Sequence, residues 1–186
     1  MDAFSYLSVL ISIVIGLAIT QLLSGYRTLL IARGRVRTYA PTLIWGGLLL
    51  LIDVQGWWAM FGMRAHGSWT FVQFALVLLQ AILLYMLAAL VFPDVAADHT
   101  VDLREHYFNQ SRWFFGFGVL LLVVSVVKDL GLTGSWPTPI NLAFHGLFLV
   151  MWGTAAWTRS EVYHRVLPIL TAIAFCAYIV VLFTRL

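Results

Sequence analysis

Six apolar runs, each close to the length of a bilayer crossing, dominate this 186-residue chain and leave its backbone one solution. A spanning helix needs about 20 mostly apolar residues. In hydrocarbon every backbone N–H and C=O must also find its partner, which an open sheet cannot arrange. The runs are therefore read as helices at about residues 4–24, 42–62, 69–92, 113–130, 140–157 and 166–184. The expected fold is all-α: a polytopic membrane protein of about six transmembrane helices in a compact bundle, forming a single transmembrane domain over residues 1–186.

Local punctuation supports these limits. The first helix has room to continue past Ser24 through Tyr26 to Ile31, before the basic stretch of Arg33, Arg35 and Arg37. Pro41 opens the second run and Pro93 closes the third, since proline cannot continue a helix without losing a hydrogen bond. Residues 93–112 form the longest polar connection, with room for an interfacial helix, and Gly131 to Pro139 read as a tight turn. The sixth run is expected to begin near Val166, with Pro168 in its first turn.

With 62% hydrophobic and 10% charged residues, the chain has no capacity for a separate soluble domain. The net charge of +3 does not indicate nucleic acid, because the basic residues gather at the ends of apolar runs, where they meet headgroups. The lipid bilayer is the expected partner, together with a second copy of the chain, since six short spans enclose little space alone. Cys176 is the only cysteine, so no intrachain disulfide or thiolate metal cluster can form. Met1, Asp2 and Ala3 lead straight into a long apolar run, which is expected to be retained as a span rather than cleaved as a leader.

Orientation follows from Lys and Arg on alternate sides. Arg27, Arg33, Arg35, Arg37, Arg104, Arg112, Arg159 and Arg165 fall in or beside the first, third and fifth connections, while Arg64, Lys128 and Arg185 fall on the other side. The chain is expected in the plasma (inner) membrane of a bacterium, with both termini on the non-cytoplasmic side. Pro41-Thr42-Leu43-Ile44 echoes Pro137-Thr138-Pro139-Ile140, a faint trace of an inverted three-plus-three repeat.

The polar residues that the runs tolerate are the candidates for chemistry. Asp53 lies about eleven residues into its span, roughly 17 Å into a hydrocarbon core about 30 Å thick. An acid at that depth must be protonated, paired, or turned towards water or another helix. Trp57 follows one turn later on the same face. Gln55 is turned away from that face by its two-residue step. Gln80, Lys128, Asn141 and His145 complete a candidate intramembrane polar site, with Lys128 either reaching inward or snorkelling to the interface. Ser12 with Gly16, and Gly116 with Gly118, predict close helix approach.

A second set lies at the basic side. Asp98, Asp102 and His106 recur every four residues, with His99 and Glu105 beside them, and Glu161 and His164 share a helical face. Asp102, Glu105, His106, Glu161 and His164 offer the oxygens and nitrogens that divalent metals accept. No cofactor is otherwise indicated: P-loop, GxGxxG, GxSxG and HExxH patterns are all lacking.

Three functions fit these features. The leading one is a small transporter or channel with its polar site around Asp53, which makes the chain no enzyme. The second is a non-catalytic membrane subunit or assembly factor whose buried polar groups only fix packing. The third is a metal-dependent membrane enzyme working at the inner headgroup level.

Overall fold

The computed structural model describes residues 3–65, 67–94 and 100–182. Among the described residues, six helices are long and apolar enough to cross a membrane. They are α1 (Ala3–Ile31), α2 (Ala40–Met60), α3 (Phe71–Val91), α4 (Leu103–Thr133), α5 (Pro139–Trp157) and α6 (Glu161–Leu182). The protein is an all-α, multi-pass membrane protein. Large apolar side chains stand exposed on every helix, among them Ile13, Val54, Val72, Val123, Val150 and Ile173. A helix that is apolar all round suits lipid on one side and neighbours on the other.

Helix limits are set locally. Pro41 and Pro139 occupy the first turns of α2 and α5, where a missing N–H leaves nothing unpaired. Thr70 and Gln73 form a reciprocal capping box at the start of α3, at 2.9 and 3.3 Å. Asp102 caps α4 by accepting from the N–H groups of Arg104 at 2.8 Å and Glu105 at 3.2 Å. That cap starts α4 at Leu103, well before the expected Trp113, so much of the polar connection is helix. At its other end α4 runs through Gly131 and stops where Gly134 adopts φ 67°, a left-handed conformation that suits glycine.

The sixth helix also begins earlier than expected. Glu161 opens it, held by Arg165 one turn on and by Arg104 of α4, each at 2.7 Å. Pro168 therefore lies inside α6 rather than in its first turn.

The helices close into a ring in which α1 packs on α3, α3 on α4, α4 on α5, α5 on α6, α6 on α2, and α2 back on α1. Helix α2 also reaches α3 and α4 across the ring. A short parallel pairing of β1 (Val36–Arg37) with β2 (Val101–Asp102) joins the first and third connections, with Val36 opposite Val101. This end carries most of the arginines and is called the basic end below.

Towards the basic end the interior is aromatic. Trp45 is fully buried and meets Phe114, Phe115 and Trp152 edge-on at 5.3 to 5.5 Å. Gly118 makes that packing possible, because a Cβ there would overlap the Trp152 ring. The other expected close approaches, at Gly16 and Gly116, have open space beside them, and the tight contacts occur instead where Gly25 and Gly46 meet Phe92.

Candidate functional site

A cavity of about 400 Å³ enters the ring from the end opposite the basic one, between α1, α2, α3, α4 and α6. Gly62, Met63, Leu132 and Thr133 lie at its mouth, and it reaches Gln55, Gln80 and Ser125 in the middle of the bundle. Ile11, Ile15, Met60 and Val77 supply an apolar wall, while Gln55, Gln80, Ser125, Lys128, Asp129 and Tyr178 supply the polar one. The Lys128 side chain is only 14% exposed, and its Nζ lies 3.1 Å from Asp129 Oδ1. Because α4 extends past Gly131, Lys128 sits within the helix and lines the cavity.

Past Gln55 and Gln80 lies a smaller chamber of about 80 Å³, also bounded by Ser125, His145, Trp152 and Thr171. His145 Nδ1 donates to the Asn141 carbonyl at 3.0 Å, since that oxygen can only accept. In the neutral ring Nε2 then accepts from the Ser125 hydroxyl, 3.3 Å away. The aromatic cluster around Trp45 closes the chamber towards the basic end.

The structure thus brings Gln80, Lys128 and His145 around two neighbouring cavities that share Gln55, Gln80, Ser125 and Tyr178 as lining. Asn141 stands one turn from His145 and contributes its backbone carbonyl, while its own Oδ1 is buried without a partner. Trp57 is 53% exposed on the outer surface of α2, which suits an interface anchor.

Asp53 occupies a separate place. It is 1% exposed, and neither carboxyl oxygen has a hydrogen-bond partner. It lies two turns from Gly46, which packs against Phe92 and Tyr26, and two turns from Met60, which clusters with Ile11, Ile15, Val77 and Ala81. This stripe of α2 faces α1 and α3. Gln55, turned roughly 200° by its two-residue step, lines the cavity, as Gly56 and Met60 do nearer its mouth, while Asp53 does not reach it.

At the basic end several polar groups are joined to one another, although the buried Tyr39 hydroxyl has no hydrogen-bond partner. His164 is fully buried; its Nε2 donates to the Thr158 carbonyl at 3.0 Å and its Nδ1 accepts from the Tyr107 hydroxyl at 2.9 Å. The rings of Phe108, Phe115 and Tyr163 surround it. Burial raises the pKa of the nearby Tyr39 hydroxyl above the ordinary phenol value; Glu161 adds to the shift and Arg165 and Arg104 oppose it.

The residues with metal-ligand chemistry have local duties here. Asp102 caps α4, Glu105 lies exposed in its first turn, His106 Nε2 bonds the Leu90 carbonyl at 3.0 Å, Glu161 joins two arginines, and His164 is engaged at both nitrogens. Among the described residues no three His, Cys, Asp or Glu side chains form a group that could hold a metal ion. Asp98, His99 and Arg185 lie outside the described residues.

Sequence reasoning missed Ser125, Asp129, Thr171 and Tyr178 as lining residues, and set Gln55 aside. Helical spacing held the signal. Ser125, Lys128, Asp129 and Leu132 form one stripe of α4, and Thr171 and Tyr178 are two turns apart on α6. Compared with known proteins, the chain matches no family model, no curated protein and no solved structure.

Proposed function

We propose that this protein is a small membrane transporter or channel whose solute path begins in the cavity lined by Gln55, Gln80, Ser125, Lys128, Asp129 and Tyr178. The observation that carries this reading is a polar recess of about 400 Å³ leading into the middle of an otherwise apolar ring. A bundle made only for packing would fill that space, because buried polar side chains stabilise a helix pair little, about 0.6 kcal/mol on average in one measured system. The aromatic closure at Trp45, Phe114, Phe115 and Trp152 favours a carrier that rearranges over a permanently open pore. The arginine distribution supports a cytoplasmic basic end and a cavity facing outward across a plasma membrane.

Reconstituted protein supplies the test. Flux of a panel of charged and uncharged small solutes into proteoliposomes should exceed that of empty liposomes for at least one solute. Lys128→Gln and Gln80→Leu should each lower that rate about tenfold, the scale of one lost charge-assisted or amide contact. Asp53→Asn should leave it nearly unchanged, because Asp53 does not line the cavity. No flux above the empty control for any solute would overturn the reading, and unchanged rates in both cavity variants would remove the cavity from the path.

A further inference from the structure

The charges on the wall of the larger cavity are few and come from one helix. Among the described residues that line it, Lys128 and Asp129 of α4 are the only Lys, Arg, Asp or Glu, one of each sign. Lys128 Nζ lies 3.1 Å from Asp129 Oδ1, and the two side chains keep 14% and 30% of their surface exposed, so the pair is sheltered but not sealed. A lysine near the end of a membrane helix ordinarily snorkels to the interface. Here α4 continues to Thr133, and the ammonium meets a carboxylate beside the cavity. Ionisable side chains kept inside a membrane span mark solute or ion paths.

The rest of the wall is divided between polar and apolar. Helices α1 and α4 both pack on α3, and the cavity lies between them. Ile11 and Ile15 of α1, with Met60 of α2 and Val77 of α3, therefore give an apolar surface across from the charged stripe of α4. The volume of about 400 Å³ falls within the roughly 300–1,000 Å³ typical of small-ligand sites.

This arrangement selects by charge balance. A simple anion drawn to Lys128 would leave Asp129 without its cation, and a simple cation drawn to Asp129 would strand Lys128. Removing one partner from a sheltered pair is costly. A wholly uncharged solute offers neither group a counter-charge in exchange for the other. A zwitterion exchanges one ion pair for two: its carboxylate accepts from the Lys128 ammonium while its own ammonium donates to Asp129. An apolar body on the same solute would leave water for the surface of Ile11, Ile15, Met60 and Val77.

We propose that this cavity binds small zwitterions with an apolar body, the chemistry of an apolar α-amino acid, with Lys128 holding the carboxylate and Asp129 the ammonium. This rests on reading the cavity as the solute path.

The test uses the full chain in lipid nanodiscs and radiolabelled leucine, followed by equilibrium dialysis. The competitors are 4-methylpentanoate and 3-methylbutylamine, which keep the apolar body of leucine and lack its ammonium and its carboxylate respectively. Leucine should bind saturably, and each analogue should compete at least about tenfold more weakly than unlabelled leucine, the scale of one lost charge-assisted contact. Lys128→Gln and Asp129→Asn should each weaken leucine by a similar factor. Asp129→Asn, which leaves Lys128 without its carboxylate, should also bind 4-methylpentanoate more tightly than the wild type does, a gain that damage to the fold cannot produce. If a variant does not fold, the analogue comparison on the wild-type chain decides. No saturable leucine binding, an analogue that competes as well as leucine, wild-type affinity in both variants, or no gain for 4-methylpentanoate in a folded Asp129→Asn would each overturn the proposal. Flux of another solute without leucine binding would sink the substrate class alone, whereas saturable leucine binding without flux of any solute would sink the path alone.

Discussion

Two polar clusters in this bundle, one at each side of the Trp45 aromatic layer, are built on different rules. At the basic end His164 is bonded at both nitrogens, Tyr107 serves one of them, and Glu161 joins Arg104 to Arg165. On the cavity side Trp152 Nε1 and Thr171 Oγ1 have no hydrogen-bond partner, and Lys128 pairs with its neighbour Asp129. Paired groups fix helices in register, and unpaired ones occur on both sides, since the buried Tyr39 hydroxyl at the basic end also stands without a hydrogen-bond partner. The pairing at the basic end gives that cluster a structural duty, and binding on the cavity side is what the proposed path requires.

Variants can break or sharpen that contrast, and unfolding in bicelles titrated with a denaturing detergent would measure each. The largest loss should come from the layer between the clusters. Trp45→Ala removes a fully buried ring with three edge contacts and should cost about 3–5 kcal/mol. A loss below about 1 kcal/mol would mean the layer does not hold the two halves together. Gly118→Ala should cost about 1–3 kcal/mol by overpacking, because its Cβ overlaps Trp152. It should also disturb the inner chamber that Trp152 lines, whereas a variant as stable as wild type would show that Trp152 has room to swing aside.

Two conservative hydroxyl deletions test the different rules directly. Tyr107→Phe orphans His164 Nδ1 and should destabilise by about 1–2 kcal/mol. Thr171→Val deletes a hydroxyl with no partner and should change stability by less than about 0.5 kcal/mol, or raise it slightly. Equal losses from the two would dissolve the distinction between the clusters.

The spans were legible because membrane helices are written as unbroken apolar runs, and no tertiary contact is needed to read them. Their ends were less so. The stretch holding Arg104, Glu105, His106 and Arg112 looks like a connector by polarity, yet Asp102 followed three residues later by Glu105 is a helix-start pattern, and α4 begins there. The sequence pairs Glu161 only with His164 on one helical face; its arginine partners on α4 and α6 come from the packing of two helices, which spacing along one helix does not carry. Which way a helix face turns is set by packing, and a single span does not carry that information. Asp53 draws notice because a midplane acid is costly, but the ring turns it towards α1 and α3 and presents Gln55 to the cavity. The polar stripe on α4 was readable at helical spacing; its convergence with α2, α3 and α6 was not, because it depends on the order of helices around the ring.

The pairing of Val36 with Val101 bears on how the chain is made. Synthesis proceeds from the N-terminus, so Val36 emerges early and waits while α2 and α3 are threaded into the bilayer. Only when Val101 follows can the first and third connections join. The pairing then ties the two connections that flank α2 and α3 to each other at one end.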